Sequence, residues 1–387
     1  MSPSLAPQKL SVSGVKDFVS GLFSPLMHAA RIASVADATV GVLHAGSLAI
    51  HAIGAALALA DERDKKHATK QVDRLLSNPK LDVWEVLSAW TPFVLGARTE
   101  AVIALDWTDF DKDDHTTLVA SLVTTHGRAT PLLWRTVRKS ALSQQRNALE
   151  DEFLSRLREL IPDSVRVTVL CDRGFADQKL YEYLKELRFD YIIRFRECIY
   201  VTDEKGTTLP AAQWVPSNGR PRKLNGACVT EDRYPVGAVV CVKESGMKGA
   251  WCLATSRADL APKQIISWYG KRFSIEETFR DQKDLRFGMG LSSTHIKDER
   301  RRDRLLLLCA LSTALLTILG AAGESLGYDR MLKVNTVKTR THSLLRQGAF
   351  YFQAIATYRA DWTRALLDRF AQLLSDQPWF TQTFGVI

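Results

Sequence analysis

Residues 99–137 read TEAVIALDWTDFDKDDHTTLVASLVTTHGRATPLLWRTV, a stretch in which three apolar runs alternate with polar turns. The runs cover residues 99–106, 116–124 and 129–137, and the last one follows a His-Gly turn. Short runs rich in β-branched and apolar residues, separated by turn residues, predict β-strands. Three consecutive strands joined by tight turns predict an antiparallel meander.

The segments after this meander predict alternating helices and strands. Residues 147–160 have helical spacing, residues 165–171 (VRVTVLC) predict a buried strand, and residues 177–187 predict a second helix. This βββαβα order is the one with which the RNase H-like fold begins. Residues 195–258 return to strand-like alternation and predict a β-rich insertion, and helical character resumes at Pro262.

The composition is that of a folded protein with a mild excess of positive charge. Of 387 residues, 46% are hydrophobic and 25% are charged, which excludes a disordered or fibrous chain. Lys and Arg number 52 against 43 Asp and Glu, and the net charge of +9 favours a polyanionic partner, although ordinary proteins also show such an excess. The six cysteines form no C-x-x-C pair and no zinc-ligand spacing, so we expect reduced thiols in a cytoplasmic protein.

Residues 305–323 (LLLLCALSTALLTILGAAG) have the length of a membrane span and follow a cluster of arginines. Because Ser312, Thr313 and Thr317 dilute the apolar run, a fully buried central helix is the preferred interpretation, and we expect no membrane association. A membrane protein built around this segment is the alternative, and it predicts detergent-dependent solubility. The first residues, MSPSLAPQKLSVSG, do not predict a secretory signal.

Two aspartates follow apolar strands, Asp106 in ALDWTDF and Asp172 in VLCDRGFAD. We expect each to end its strand, so that both carboxylates lie at the carboxyl edge of a sheet, where a ligand can approach. Asp is also common after strands because it starts turns, so neither residue alone predicts a function. A third carboxylate on a neighbouring helix would favour a functional site.

The segment WYGKRFSIEETFRDQKD, residues 268–284, supplies that third carboxylate. It contains no proline or glycine between Lys271 and Phe287 and predicts a continuous helix there. At about 100° per residue, four polar residues share one narrow face of this helix: Tyr269, Arg272, Glu276 and Lys283. Glu277 points away from that face, so the geometry selects Glu276 as the functional acid.

This combination of side chains suits phosphate chemistry. Arg can bind a phosphate through two hydrogen bonds, Lys supplies a point charge, and Tyr donates a hydrogen bond. The alternative is a surface helix with i,i+4 salt bridges, of which Arg272 to Glu276 would be one.

The spacing Y-x2-R-x3-E-x6-K, from Tyr269 to Lys283, resembles the Y-R-E-K signature of DDE transposases of insertion-sequence family four. DWT at Asp106 and DRGFAD at Asp172 resemble the first two acidic motifs of the same enzymes. The resemblance runs from about residue 58 to beyond residue 290, and it includes the β-rich insertion between the second and third acids.

The resemblance implies that Asp106, Asp172 and Glu276 are the catalytic residues and hold two divalent ions, Mg²⁺ or Mn²⁺. It also implies that Tyr269, Arg272 and Lys283 bind phosphates near the cut strand. Arg280 lies near the same face of the helix and is a further candidate for phosphate binding. Trp251 falls in a region where these enzymes use an aromatic residue to hold a flipped base, and a core tryptophan is the alternative.

Residues 58–76 (ALADERDKKHATKQVDRLL) predict an Ala-rich helix, a polar turn and an amphipathic helix with a basic face. The stretch resembles the amino-terminal DNA-contacting helix of these transposases. That resemblance implies DNA contacts for five residues: Lys65, Lys66, Lys70, Gln71 and Arg74. A solvated charged helix face is the alternative.

The sequence therefore predicts an α/β protein with an RNase H-like (retroviral-integrase-like) catalytic domain at residues 96–325. A helical DNA-binding domain is expected at residues 1–95, and a helical region that contacts DNA or a partner subunit at residues 326–387. The predicted function is cleavage of double-stranded DNA at the ends of an insertion sequence and strand transfer into target DNA, by a cut-and-paste route compatible with a hairpin, with a homodimer on the DNA. Two alternatives stay open: a metal-dependent nuclease that cuts without joining, and a catalytically idle DNA-binding regulator derived from a transposase.

Overall fold

The structure is a computed structural model and describes residues 12–286, 288–355 and 357–375. Parts of the predicted terminal regions, residues 1–11 and 376–387, lie outside the described residues. The described ranges contain twelve α-helices: α1 (Val12–Phe23), α2 (Ala29–Ala45), α3 (Ile50–Ala60), α4 (Lys65–Ser77), α5 (Val83–Leu95), α6 (Arg146–Leu160), α7 (Gln178–Glu186), α8 (Pro262–Lys271), α9 (Ser274–Lys283), α10 (Glu299–Ser325), α11 (Leu344–Ala354) and α12 (Ala360–Ser375).

Twelve strands lie in the same part of the chain. They are β1 (Glu100–Phe110), β2 (His115–Leu122), β3 (Thr130–Arg138), β4 (Arg166–Cys171), β5 (Asp190–Phe195), β6 (Tyr200–Thr202), β7 (Thr208–Pro210), β8 (Arg222–Asn225), β9 (Cys228–Val229), β10 (Tyr234–Pro235), β11 (Ala238–Val242) and β12 (Trp251–Thr255).

Eight strands form one mixed sheet in the order β3-β2-β1-β4-β5-β12-β11-β8. β1, β2 and β3 are antiparallel neighbours, so the predicted meander is confirmed. β1, β4 and β5 run parallel, and β12, β11 and β8 continue the sheet in antiparallel order. β4 and β5 read as nearly continuous apolar runs because both of their faces are buried. The large mixed sheet with flanking helices confirms the predicted α/β class.

β3 is an edge strand of this sheet, but two helices cover its backbone. The side chains of Trp84, Trp90 and Thr91 on α5 donate hydrogen bonds to carbonyl oxygens of β3. On α10, the carboxylate of Asp303 accepts the amide N–H of Thr136 at 3.0 Å. These contacts satisfy backbone groups that an open edge would offer to another strand. The hydrogen bonds from Trp84, Trp90 and Thr91 also attach α5 to the sheet.

The segment predicted as a β-rich insertion, residues 195–258, divides between two sheets. β8, β11 and β12 extend the large sheet, and β12 pairs directly with β5. β6, β7, β9 and β10 form a second, four-stranded sheet in the order β10-β9-β6-β7. The segment therefore continues the sheet that carries Asp172, and the domain boundaries stay a prediction.

α10 is the central helix of the fold and packs against α2, α11, α12 and β3. Gly320 on α10 and Gly348 on α11 allow the closest approach, because a Cβ on either residue would overlap a carbonyl oxygen of the opposite helix. Among the described helices, α10 alone is long and apolar enough to cross a membrane, and 89% of its apolar window is buried inside the protein. α2 and α3 meet the same criterion only together, and they are bent by 98°. Packing thus accounts for the apolar run at residues 305–323.

Candidate active site

Asp106 and Asp172 lie next to each other at one edge of the parallel part of the sheet. The ladder between β1 and β4 ends with the pair Leu105 and Cys171, and the two aspartates are the next residues along the chain. The prediction that Asp106 ends its strand is wrong, since β1 continues to Phe110. The reason is that β1 keeps pairing with β2 beyond the point where β4 stops. Asp172 follows the last residue of β4, as predicted.

A tight turn fixes the carboxylate of Asp172. The amide N–H of Gly174 donates to its Oδ1 at 2.7 Å, and the amide of Phe175 donates to its backbone carbonyl at 3.2 Å. A Cβ on Gly174 would lie 3.0 Å from Oδ1, closer than ordinary contact. The glycine in DRGFAD therefore lets the backbone approach the acid that it positions.

The third acid lies on α9, and the helix that carries it is interrupted. The prediction of a continuous helix from Lys271 is wrong, because α8 ends at Lys271 and α9 begins at Ser274. Hydrogen bonds of the i to i−3 type close the break, from Arg272 N to Tyr269 O and from Ile275 N to Arg272 O, both at 3.0 Å. The break turns Phe273 outward, where its side chain is exposed. The final predicted residue of that helix, Phe287, lies outside the described residues.

Arg272 joins two of the three acids. Its Nη1 donates to Oδ2 of Asp106 at 2.9 Å, and its Nη2 donates to Oε1 of Glu276 at 3.0 Å. The Arg272 side chain is only 6% exposed, whereas that of Glu276 is 52% exposed. A single guanidinium thus brings together acids from β1 and α9. The Arg272–Glu276 salt bridge that the surface-helix alternative predicted is present, but its cation is buried at the sheet edge.

The electrostatics show that the three acids act on one another. Burial raises the pKa of Asp106 to about 6; Arg272 opposes the rise, and the charges of Asp172 and Glu276 add to it. Carboxylates that repel one another in a partly buried place need positive charge between them. In the described residues this charge is the guanidinium of Arg272, and no three acids, histidines or cysteines there are arranged to hold a metal ion.

Tyr269 and Trp251 line a cavity beside Asp172. The cavity has a volume of about 600 Å³, and its walls also include Arg194, Lys248 and Phe273. The rings of Trp251 and Tyr269 meet edge to face, with their centroids 4.9 Å apart. Burial raises the pKa of the Tyr269 hydroxyl to about 12, so it stays a hydrogen-bond donor at neutral pH. Trp251 is half-buried and contributes one wall of an open cavity.

Lys283 lies at the other end of α9, over the hairpin between β1 and β2. Its Nζ donates to the carbonyl oxygen of Asp109 at 2.6 Å and lies 4.4 Å from the ring centre of Phe110. The guanidinium of Arg302 lies 4.0 Å from the same ring. Burial lowers the pKa of Lys283 to about 8, although the nearby charge of Asp109 opposes the change. The ammonium group is therefore held close to the strand that carries Asp106.

Arg280 belongs to a different ionic cluster. It pairs with Glu277, which lies 3.7 Å from Arg128, and Arg128 binds Asp281 at 2.6 Å. The side chain of Arg280 is largely exposed. A phosphate contact of Arg280 stays a prediction. Glu277, the acid next to Glu276 in sequence, pairs with Arg280 and Arg128 rather than with the site acids, as its position on the helix predicted.

Sequence reasoning missed a group of residues that supports the site from α6. Glu150 is buried and accepts hydrogen bonds from the indole of Trp107 at 2.7 Å and from Arg146 at 2.9 Å. Arg146 also lies over the rings of Trp107 and Phe175, 5.5 Å from each centre. These residues flank Asp106 and the turn after Asp172. The signal available in the sequence was the tryptophan that directly follows Asp106.

The basic helix predicted near the amino terminus is α4, and it begins with Asp64 as its cap. Four of the five predicted DNA contacts are at least partly exposed on it: Lys65, Lys66, Lys70 and Arg74. The fifth, Gln71, is turned inward, where its Nε2 donates to Asp37 at 2.9 Å and its Oε1 accepts from Arg63 at 3.0 Å. Gln71 therefore has an internal role in this structure, and the DNA contacts stay a prediction.

Residues 98–315 match the family model for the transposase DDE domain, and this match covers more than half of the chain. The chain belongs to this transposase family. All three acids and the segment from Tyr269 to Lys283 fall inside the match, whereas α4 falls outside it. Comparison with curated proteins gives no significant match. Family membership implies a nucleic-acid-processing enzyme that binds DNA, and transposase DDE domains generally use divalent metal ions.

All six cysteines are free thiols in this DDE transposase family member, as predicted. Cys241 and Cys252 face each other across β11 and β12 in the interior. These two thiols are therefore part of the packing of the large sheet.

Proposed function

We propose that this protein cuts double-stranded DNA at the ends of an insertion sequence and joins the freed 3′ ends to target DNA. The observation that carries the proposal is the shared guanidinium of Arg272, which lies within 3.0 Å of both Asp106 and Glu276. It brings acids that are far apart in sequence to one sheet edge beside Asp172, inside the segment that matches the transposase family.

The donor chemistry of the three acids fits divalent ions. Hard cations prefer carboxylate oxygens, and Asp106, Asp172 and Glu276 provide these oxygens from three adjacent elements. We assign them as ligands of two Mg²⁺ or Mn²⁺ ions. When bound, such ions supply positive charge that stabilises the attacking and leaving oxygens of a phosphodiester. The turn at Gly174 fixes Asp172, and Glu150 fixes Trp107, the residue that follows Asp106.

The cations and the tyrosine around the acids suit a DNA strand. Tyr269 and Arg272 line the cavity, Lys283 lies at the β1–β2 hairpin, and all three would bind phosphates. Trp251 would stack on a base that leaves the duplex and enters the cavity, because an exposed ring face tolerates any base. Arg280 would contact a phosphate farther from the cut.

The finer assignment follows the motifs. The spacing from Tyr269 to Lys283 supports membership of insertion-sequence family four, and the order β3-β2-β1-β4-β5 supports an RNase H-like catalytic domain within residues 96–325. The exposed lysines of α4 would contact the element ends as part of a helical DNA-binding region within residues 1–95. Joining two ends favours a homodimer on the DNA, and we propose that the protein acts in the cytoplasm.

The test is a cleavage assay with Mg²⁺ and a duplex that carries the ends of the element and flanking DNA, read on a denaturing gel. Glu276→Gln should abolish cutting, whereas Glu277→Gln should retain it, because Glu277 pairs with Arg280 away from the other acids. Joined products with target DNA separate a transposase from a nuclease that only cuts. Binding without cutting by the wild-type protein would contradict the proposal and favour a DNA-binding regulator.

A further inference from the structure

Arg272 occupies the place between the acids where positive charge is needed. Its two terminal nitrogens bind Asp106 and Glu276, and its side chain is almost fully buried. We propose that Arg272 is the resident cation of the carboxylate site in the DNA-free protein, and that a divalent ion gains the site when this guanidinium moves to a DNA phosphate. The inference rests on the proposed function and deepens it.

Arg272 occupies oxygen atoms that a metal ion would need as ligands. Oδ2 of Asp106 and Oε1 of Glu276 each accept a charge-assisted hydrogen bond from Arg272, at 2.9 and 3.0 Å. An oxygen that accepts such a bond is less available as a metal ligand, and a second cation beside a guanidinium is repelled. In the described structure these two acids therefore bind Arg272. The same acids become a fitting donor set once the guanidinium leaves.

The hydrogen bonds of the Arg272 guanidinium are incomplete in this position. Its Nε is buried and has no hydrogen-bond partner among the described residues, although a guanidinium offers five donors. A buried donor without a partner favours a second position in which more donors are used. A phosphate, with several acceptor oxygens, satisfies a guanidinium better than one oxygen from each of two acids.

The surroundings of Arg272 offer that second position. Arg272 follows the last residue of α8, in the break before α9, and is a wall of the cavity beside Asp172. Its guanidinium carbon lies 4.9 Å from the ring centre of Phe273 and 5.9 Å from that of Tyr269. These rings provide a flat surface along which a planar guanidinium can turn toward the cavity. Glu276 is half exposed, so it can follow the metal without moving the helix.

The consequence is a positive coupling between DNA and metal. A phosphate that takes Arg272 frees two carboxylates, so DNA raises the affinity for the ion, and the ion raises the affinity for DNA by the same factor. Before DNA binds, the arginine keeps the acids neutralised and the site unable to cut. If Arg272 instead bound a phosphate without leaving the acids, DNA would not change how strongly the metal affinity depends on Arg272.

The experiment measures Mn²⁺ binding to the full chain by electron paramagnetic resonance, with and without a duplex of arbitrary sequence. Without DNA, Arg272→Gln should bind Mn²⁺ at least about tenfold more tightly than the wild type, because a neighbouring positive charge is gone. Arg128→Gln is the matched control, since Arg128 also binds an acid of α9 but none of the three site acids, and its Mn²⁺ affinity should equal that of the wild type. The duplex should tighten Mn²⁺ binding by the wild type and leave Arg272→Gln unchanged.

Asp106→Asn distinguishes a failure of the proposed function from a failure of the inference about Arg272. If Mn²⁺ binding by the wild type does not depend on Asp106, the proposed function and the inference are both overturned. If binding depends on Asp106 but Arg272→Gln is no tighter than the wild type, only the inference is overturned. Should Arg272→Gln fail to fold, the duplex must tighten Mn²⁺ binding by the wild type more than binding by Asp106→Asn, because DNA also binds Mn²⁺ by itself. An equal effect of the duplex on both proteins would overturn the inference.

Discussion

In the carboxylate site, Arg272 is 5% exposed and lies between two acids, whereas on α4 the side chains of Lys65, Lys66 and Lys70 project into solvent. Both regions have the charge expected for a DNA partner. In the site, each charge is fixed by a named neighbour, so its loss changes the pKa and the position of other groups. On α4, the exposed charges interact with solvent and can be removed one at a time with small effect.

The largest effect on DNA cleavage is expected at Asp106. Asp106→Asn should lower the rate of DNA cleavage by at least about 1,000-fold, because it removes a charged oxygen from a set that acts as a unit. Asp163→Asn is the control and should stay within a fewfold of the wild type. Asp163 is 95% exposed and pairs with Arg158 at the surface, away from the carboxylate site. Equal losses in both variants, measured in a gel assay, would remove the distinction between site and surface.

The effect of moving the Asp172 carboxylate can be tested at Gly174. Gly174→Ala should lower the cleavage rate about 10- to 100-fold, because the new Cβ would lie 3.0 Å from Oδ1 of Asp172 and displace it. Thermal stability should change little, since the turn is at the surface. Gly21→Ala on α1 is the control, because a Cβ there meets nothing within 4 Å. Wild-type cleavage by Gly174→Ala would mean that Asp172 tolerates displacement.

Buried charge should also affect stability, and Asp303 on α10 provides the test. Burial raises the pKa of Asp303 to about 7, although hydrogen bonds from Thr136 oppose the rise. The folded protein therefore holds this proton more tightly than the unfolded chain, and the stabilisation present below about pH 4 is lost as the pH rises through 7. Asp303→Asn should abolish that loss.

The measurement for Asp303 is the free energy of unfolding at pH 4.5 and pH 8. The difference between variant and wild type should shift by about 3 kcal/mol in favour of Asp303→Asn over this range. Asp163→Asn, at a carboxylate that is 95% exposed, should show no such shift. An equal pH profile for wild type and Asp303→Asn would show that the carboxylate is ionised in the folded protein.

The contrast between the carboxylate site and α4 also explains which structural features can be predicted from the sequence. The strands of the meander and the three acids follow from periodicity and spacing, because a buried strand must alternate or cluster its apolar residues. The continuation of β1 past Asp106 depends on pairing with β2, which no local pattern contains. The break at Arg272 and Phe273 contains no proline or glycine, and both residues make tertiary contacts that no local pattern contains.

The basic helix α4 shows what a charge pattern in the sequence does not predict. A charged face predicts exposure, and the exposure of Lys66 and Lys70 agrees with it. The pattern does not distinguish a residue that faces DNA from one that holds the fold, and Gln71 is an example, since it binds Asp37 from another helix. Residues of the site contact one another, so their spacing in the sequence predicts a shared function. Exposed charges on α4 act independently, so the sequence shows only that this helix is basic.

The smallest expected effect is therefore on α4. Lys66→Gln combined with Lys70→Gln should weaken binding to element-end DNA several-fold at moderate salt and reduce the slope of log affinity against log salt by about 2, because each lysine would neutralise one phosphate. The cleavage rate at saturating DNA should stay within about twofold, because neither lysine contacts the acids. Gln71→Ala should instead lower the melting temperature and leave the salt slope unchanged, since Gln71 binds Asp37 inside the protein. An unchanged salt slope in the double lysine variant would assign α4 to a solvated surface and leave DNA binding to the carboxylate side of the molecule.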